Sequence, residues 1–239
     1  MSKNKIVVTV SGGMDSAVLL WKAIKMVGKD NVYPLFFEYG QRHIREEQCA
    51  YKQAEINGIL LKKVDVRAIR GLASTSSLTN NSIDTPNIRE VMGEAQPKSY
   101  VPFRNMMFLS MCCAYAETVG ASEVWYGATK IDSLAGYWDA EENFVDRINS
   151  VIELNREKSI KVIAPLLTSD KKDIVKQGLD LGVPFEHTYT CYSGQMPADA
   201  ESASSSLRIQ GFITAGYIDP MPYKQDLTEV WKKHKCKLI

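Results

Sequence analysis

Hydrophobic residues along the chain fall into two alternating kinds of segment. Short apolar runs at 6–10, 32–37, 60–66, 123–126 and 161–163 have the length and the β-branched and aromatic content of strands. Longer stretches at 15–27, 42–57, 104–119 and 169–181 read as helices and close on Gly28, Gly58, Gly120 and the pair Gly182 and Pro184. Helices 15–27 and 104–119 are apolar over most of their surface, which predicts that they are buried. Strands alternating with helices predict an α/β fold, a parallel sheet with helices on both faces. Residues 73–99 are rich in Ser, Thr, Asn and Pro and predict a long loop over a site. No repeat or low-complexity linker divides the chain. The simplest organisation is one domain over 1–239, with a small helical appendage at about 188–239. Open sheets of this kind bind ligands beyond the carboxyl ends of their strands. Segments 11–16, 38–43 and 127–132 all follow strands and are therefore expected to line one edge.

Composition narrows the classes. The 239 residues are 45% hydrophobic, enough for a sizeable core, and the formal net charge is +1. Near balance leaves no global field to hold nucleic acid or an anionic membrane, so neither is an expected partner. No apolar stretch approaches bilayer length, and Met1–Lys5 leads straight into a strand without a signal-type apolar region. The expected location is cytoplasmic. The cysteines (Cys49, Cys112, Cys113, Cys191, Cys236) are odd in number and scattered, which argues against a disulfide framework. Cys112 and Cys113 fall inside an apolar helix and read as core.

The chemistry is concentrated first in Ser11-Gly12-Gly13-Met14-Asp15-Ser16. A strand that ends in two glycines and re-enters an apolar helix presents backbone N–H groups and a positive helix end to one anion, which suits a pyrophosphate. The spacing is neither that of the Walker loop nor Gly-x-Gly-x-x-Gly. It resembles the loop of the ATP pyrophosphatase (PP-loop) superfamily. That resemblance implies a Rossmann-like (HUP) fold and the splitting of ATP into AMP and pyrophosphate to activate an oxygen for displacement.

Further segments resemble one family of that superfamily, the 7-cyano-7-deazaguanine synthases of the QueC (ExsB) family. They are Phe37-Glu38-Tyr39-Gly40-Gln41-Arg42-His43, Ser76-Ser77-Leu78-Thr79, Val101-Pro102-Phe103-Arg104-Asn105, Gly136-Tyr137-Trp138-Asp139, Thr188-Tyr189-Thr190-Cys191-Tyr192 and Leu207-Arg208 followed by Asp219-Pro220 and Tyr223. The resemblance implies ATP and Mg²⁺ as cofactors, 7-carboxy-7-deazaguanine and ammonia as partners, and a homodimer. Adenylation turns an oxide leaving group into AMP, ammonia displaces it to give the amide, and a second ATP carries the amide to the nitrile. Ser11, Gly12, Gly13, Met14, Asp15, Ser16 and Arg42 are the expected ATP-binding set, with Asp15 the Mg²⁺ ligand or a helix cap. Asp15, Arg104, Lys171 and Asp132 are the expected catalytic residues. Arg42 and Arg104 would clamp phosphate or the substrate carboxylate, and Lys171 would contact phosphate or stand as a surface lysine. Tyr39, Gln41, Arg104, Asn105, Asp132 and Tyr137 are the expected substrate-binding set. Within it Asp132 reads the base's exocyclic nitrogens or caps a turn, and the tyrosines stack on the base or belong to the core.

The chain departs from the family pattern in three places. Of the four zinc-binding cysteines that the family carries near its C-terminus only Cys191 is present; the other positions fall on or beside Asp199, Ser202 and Ser205. One thiolate with hydroxyls does not make a tetrahedral zinc site, so no zinc is expected. A helix capped at Asp199, with Ser202 near its third residue, would replace the metal by packing. Phe103 stands where the family has Gly, and Ala140-Glu141 where it has Cys-Arg. These changes leave two products open, amide or nitrile, and two acceptors, ammonia or a protein amine, the latter of the kind used by QueC-like proteins of antiviral defence clusters. A catalytically silent nucleotide-binding paralogue is a third reading, and the intact 11–16 loop argues against it.

Overall fold

The structure of the chain, a computed structural model, describes residues 4–41, 44–73, 75–79, 83, 97–191 and 194–239. Five parallel strands form one sheet: β1 (Ile6–Thr9), β2 (Val32–Glu38), β3 (Lys62–Asp65), β4 (Glu123–Trp125) and β5 (Lys161–Ile163), in the order β3-β2-β1-β4-β5. The helices are α1 (Met14–Val27), α2 (Arg45–Ile56), α3 (Ile69–Leu72), α4 (Arg104–Val119), α5 (Lys130–Leu134), α6 (Glu142–Ile152), α7 (Lys171–Leu181), α8 (Ala203–Ala215) and α9 (Thr228–Lys233). The chain winds outward through β2 and β3, then returns to the far side of β1 with β4. The switch point, where ligands enter such sheets, is therefore at the carboxyl ends of β1 and β4.

Side-chain alternation in the strands builds a core on each face. Ile6 and Val8 of β1, Phe36 of β2 and Trp125 of β4 pack with α1, α7 and α8, through Leu19, Ile174 and Phe212. Val7, Leu35, Phe37 and Val124 face the other way, onto Leu109, Cys112 and Ala116 of α4 and Phe144 of α6. Ile209, Phe212 and Trp231, from the C-terminal segment, share the first of these cores with β1. Among the described residues no helix is long and apolar enough to cross a membrane.

The α/β class and the sheet with helices on both faces agree with the sequence reading, and several boundaries differ from it. Helix α2 starts at Arg45 rather than 42, β3 is confined to Lys62–Asp65, and α7 starts at Lys171 behind an Asp170 cap. Helix α6 has no counterpart in the sequence reading. Asp199 is not the cap of the following helix: that role belongs to Ser202, whose Oγ accepts from the Ser205 N–H at 3.3 Å. The reason is a tertiary contact with the C-terminal segment. Ala198 pairs in parallel with Tyr223, which holds the backbone extended, and Asp199 Oδ1 accepts from Glu201 N–H (2.8 Å) and from Gln225 Nε2 (3.3 Å) instead.

Candidate active site

The loop after β1 is shaped by one glycine. Gly12 has φ +84°, and a Cβ there would lie 2.0 Å from the Glu46 carbonyl oxygen. Only glycine lets the first turn of α2 lie over the loop. Gly13 caps α1 without a side-chain bond, so Asp15 is the second residue of the helix and not its cap. The loop is drawn tight by hydroxyls: Ser11 N–H and Ser11 Oγ each lie 3.1 Å from Ser16 Oγ, and Ser16 Oγ donates to Gly13 O at 3.0 Å. Met14 is buried in the core and also borders the cavity.

Asp15 projects from the loop toward α7. Its Oδ2 accepts from Lys171 Nζ at 2.7 Å, while its Oδ1 is buried and has no partner among the described residues. Lys171 is placed at the first position of α7 by the reciprocal Asp170–Asp173 capping box. Its stem is pressed between helices, since a Cβ on Gly211 of α8 would come within 2.8 Å of Lys171 Cβ. Burial opposes the Lys171 charge, and Asp15 and Asp132 outweigh it to raise the ammonium pKa. Asp132, in α5, completes this acidic group. Its Oδ2 accepts from Thr129 N–H (2.9 Å) and Thr129 Oγ1 (2.7 Å) in a capping box. Burial raises its pKa against the lowering effects of Lys171 and Thr129.

Across the cavity, Arg104 begins α4, with its guanidinium carbon 5.4 Å above the Tyr39 ring. Phe103 precedes it with φ 54°, a left-handed conformation unusual for an aromatic residue. Gln41 braces the turn after β2, accepting from Tyr39 N–H (2.9 Å) and donating to Phe37 O (3.3 Å), so its amide is spent on backbone. Tyr137 Oη lies 2.6 Å from Ser99 Oγ, and burial raises the Asp139 pKa while Arg104 and, to a lesser degree, Asn105 lower it. Tyr39, Gln41, Ser99, Arg104, Asn105, Tyr137 and Asp139 line one cavity of about 340 Å³, shared with Ser11, Asp15, Ser16, Asp132 and Lys171. Arg42 and His43 lie outside the described residues.

Two cavity-lining acids were missed by sequence reasoning. Glu46 stands beside Arg104, and burial pushes its carboxyl up to about 7 despite the Arg104 charge. The folded chain thus holds the Glu46 proton more tightly than the unfolded chain. Stability is expected to fall as pH rises from about 4.5 to about 7 and to level off above, and Glu46→Gln should flatten that limb in urea titrations run across this range. Asp139 is the other, in the 3₁₀ turn Trp138–Ala140 and almost fully buried. Neither acid has a local sequence signal beyond the motif that contains Asp139.

The four positions of the family's metal site do converge. Cys191 Sγ lies 3.7 Å from both Asp199 O and Ser202 Oγ, Ser202 Oγ lies 2.9 Å from Ser205 Oγ, and Ser205 Oγ donates to Thr190 O at 3.2 Å. One thiol and two hydroxyls in mutual hydrogen bonding do not fit the donor set of a structural zinc site. Beside them Arg208 and Asp219 form a fully buried bidentate pair, at 2.7 and 2.8 Å.

A parallel sheet with a Ser-Gly-Gly-x-Asp-Ser loop at its switch point defines the class: a Rossmann-like fold of the PP-loop ATP-utilising type. Solved structures agree at the level of fold. NMN synthetase from Francisella tularensis superposes with a TM-score of 0.52 at 17% identity, covering 98% of this chain and 84% of that one. NH3-dependent NAD synthetase from Campylobacter jejuni gives 0.51 at 14%, covering 78% and 68%. The chain belongs to the QueC family: the family model described as queuosine biosynthesis protein QueC matches residues 5–216. A 7-cyano-7-deazaguanine synthase from Clostridium kluyveri is 41% identical over 229 residues, covering 92% of this chain and 98% of that protein. One from Thermoplasma acidophilum is 38% identical over 231 residues, covering 94% of each.

Proposed function

We propose that this chain uses ATP to adenylate the carboxylate of 7-carboxy-7-deazaguanine and that ammonia then displaces AMP to form the amide. A second ATP activates the amide oxygen, whose departure leaves the nitrile, 7-cyano-7-deazaguanine. The observation that carries this reading is the joint placement of the Ser11–Ser16 loop, the Lys171–Asp15 pair and Arg104 on one cavity at the switch point. The loop N–H groups and Ser11 and Ser16 hydroxyls hold the departing pyrophosphate, and Lys171 adds a fixed positive charge beside it. Arg104 faces the acid and keeps its carboxylate in line with the α-phosphorus. Asp15 Oδ1 and Asp132 are the carboxylates that would hold Mg²⁺, whose contribution is to neutralise phosphate charge.

The enzyme incubated with ATP, the acid and ammonium should release AMP and pyrophosphate and yield first the amide mass, then the nitrile. ADP and orthophosphate would refute the reading. A protein amine as acceptor is favoured by one observation, the exposed Phe103 packed edge-on to Trp138 where Arg104 enters the cavity. In that case the amide mass would appear on a polypeptide and ammonium would not stimulate turnover.

We also propose that the fold needs no zinc, on the donor chemistry around Cys191. Purified protein should hold far less than one zinc per chain, and a chelator should leave its melting temperature unchanged. Stoichiometric zinc, or a chelator-induced loss of structure, would contradict this.

A further inference from the structure

Asp139 and Asp15 are the cavity acids with a buried carboxylate oxygen that has nothing to accept among the described residues, and Asp15 is paired with Lys171 whereas Asp139 has no ion-pair partner within salt-bridge distance. The residue is 2% exposed, and Oδ1 has no hydrogen-bond partner among the described residues. An unsatisfied buried carboxylate oxygen is costly, and its persistence calls for a donor that arrives with a ligand. The rest of the residue is held in place. Its carbonyl accepts from Tyr126 Oη at 3.2 Å, and the preceding Trp138 Nε1 donates to Tyr100 Oη at 2.8 Å. Arg104 supplies the positive charge that faces it, and Asp132 the negative one. The same cavity is lined by the aromatic residues Phe108, Tyr126 and Tyr137, whose side chains suit a planar heterocycle.

A carboxylate only accepts, so its ligand must offer N–H groups. Adenine presents one donor beside a ring nitrogen lone pair, which would face the carboxylate unfavourably. A guanine-type edge presents a ring N–H beside an exocyclic NH₂, two donors side by side. Asp132, the acid expected from sequence to read these nitrogens, has Oδ2 committed to Thr129 and stands with Lys171 and Asp15 on the phosphate side.

We infer that Asp139 is the specificity-determining residue of this site, accepting the ring N–H and the 2-amino group of a 7-deazaguanine. The inference rests on the proposed substrate and goes beyond it by naming the group that selects the base. Sites built to bond a substrate N–H reject analogues that lack it by about 10⁴-fold. The test uses 7-deazaguanine and 7-deazahypoxanthine, which lacks only the 2-amino group, in calorimetric titrations of wild type and Asp139→Asn, with the corresponding 7-carboxy acids compared in turnover. Wild type should prefer the amino-bearing partner by at least about 100-fold, and Asp139→Asn should reduce the preference below about tenfold while leaving ATP affinity unchanged. A wild type indifferent to the 2-amino group overturns the inference without any variant, as does a folded Asp139→Asn that keeps the full preference. The two levels separate cleanly. Base selection without AMP formation upholds Asp139 and removes adenylation. AMP formation with both acids alike keeps adenylation and removes Asp139. Binding of neither base removes both.

Discussion

Asp15→Asn is expected to lower AMP release by about 10³-fold while leaving the fold intact. The substitution preserves shape and removes a single charge. It strips the 2.7 Å ion pair from Lys171 and converts the one unpartnered oxygen of the loop carboxylate into a group that binds cations poorly. Lys171→Ala should cost a similar factor, because the two side chains act as a unit on the same phosphates. The double variant should then be little worse than either single one. Radiolabelled ATP in single-turnover reactions, with melting temperature as the folding control, measures all three. Unchanged turnover in Asp15→Asn would remove the phosphate-side assignment.

Asp219→Ala is expected to destabilise the protein by roughly 3–5 kcal/mol, because it leaves the Arg208 guanidinium buried without a counter-charge. For a chain of this size each kcal/mol moves the melting temperature by about 2–4 °C, so a fall of roughly 10 °C is expected in calorimetry. The pair is well satisfied: Arg208 also donates to Thr188 Oγ1 (2.7 Å) and Phe185 O (3.1 Å), and Asp219 accepts from Tyr223 Oη and Met221 N–H. It ties the C-terminal segment to 185–190, whose Tyr189 N–H donates to Gly12 O at 3.0 Å. Loosening this clamp should therefore also weaken ATP binding. A double replacement by apolar residues of similar volume should recover part of the stability. A fall of less than about 2 °C in Asp219→Ala would show that the pair is not what fastens the segment.

Much of the fold was legible because its signals are local. Runs such as 32–37 and stops such as Gly28 and Gly120 act within a few residues, and they returned the strand–helix order. Strand ends were less legible: Val10 lies beyond β1, yet its N–H still bonds Leu35 O at 2.8 Å. Helix α6 was legible and overlooked: Phe144, Val145, Ile148 and Ile152 recur at helical spacing and give it a well-defined apolar face against polar residues. At Asp199 two capping residues competed, and the extended pairing of Ala198 with Tyr223 decided between them.

The site was legible where family motifs carry it and opaque where burial creates it. The 11–16 loop, Arg104 and Lys171 meet on one cavity at the edge that strand order implied. Glu46 and Asp139 were opaque because acids are ordinarily exposed. Asp139 is buried in the folded turn Trp138–Ala140, and Glu46 is partly covered in the first turn of α2. Gln41, expected to touch substrate, lines the cavity, and its amide also bonds the turn after β2, which no sequence signal indicated.

Oxygen transfer tests the central claim most directly. The acid labelled with ¹⁸O in its carboxylate should deliver that label to AMP when ammonium displaces the adenylate. Label found in orthophosphate, or AMP formed without label, would contradict activation of the carboxylate by adenylation.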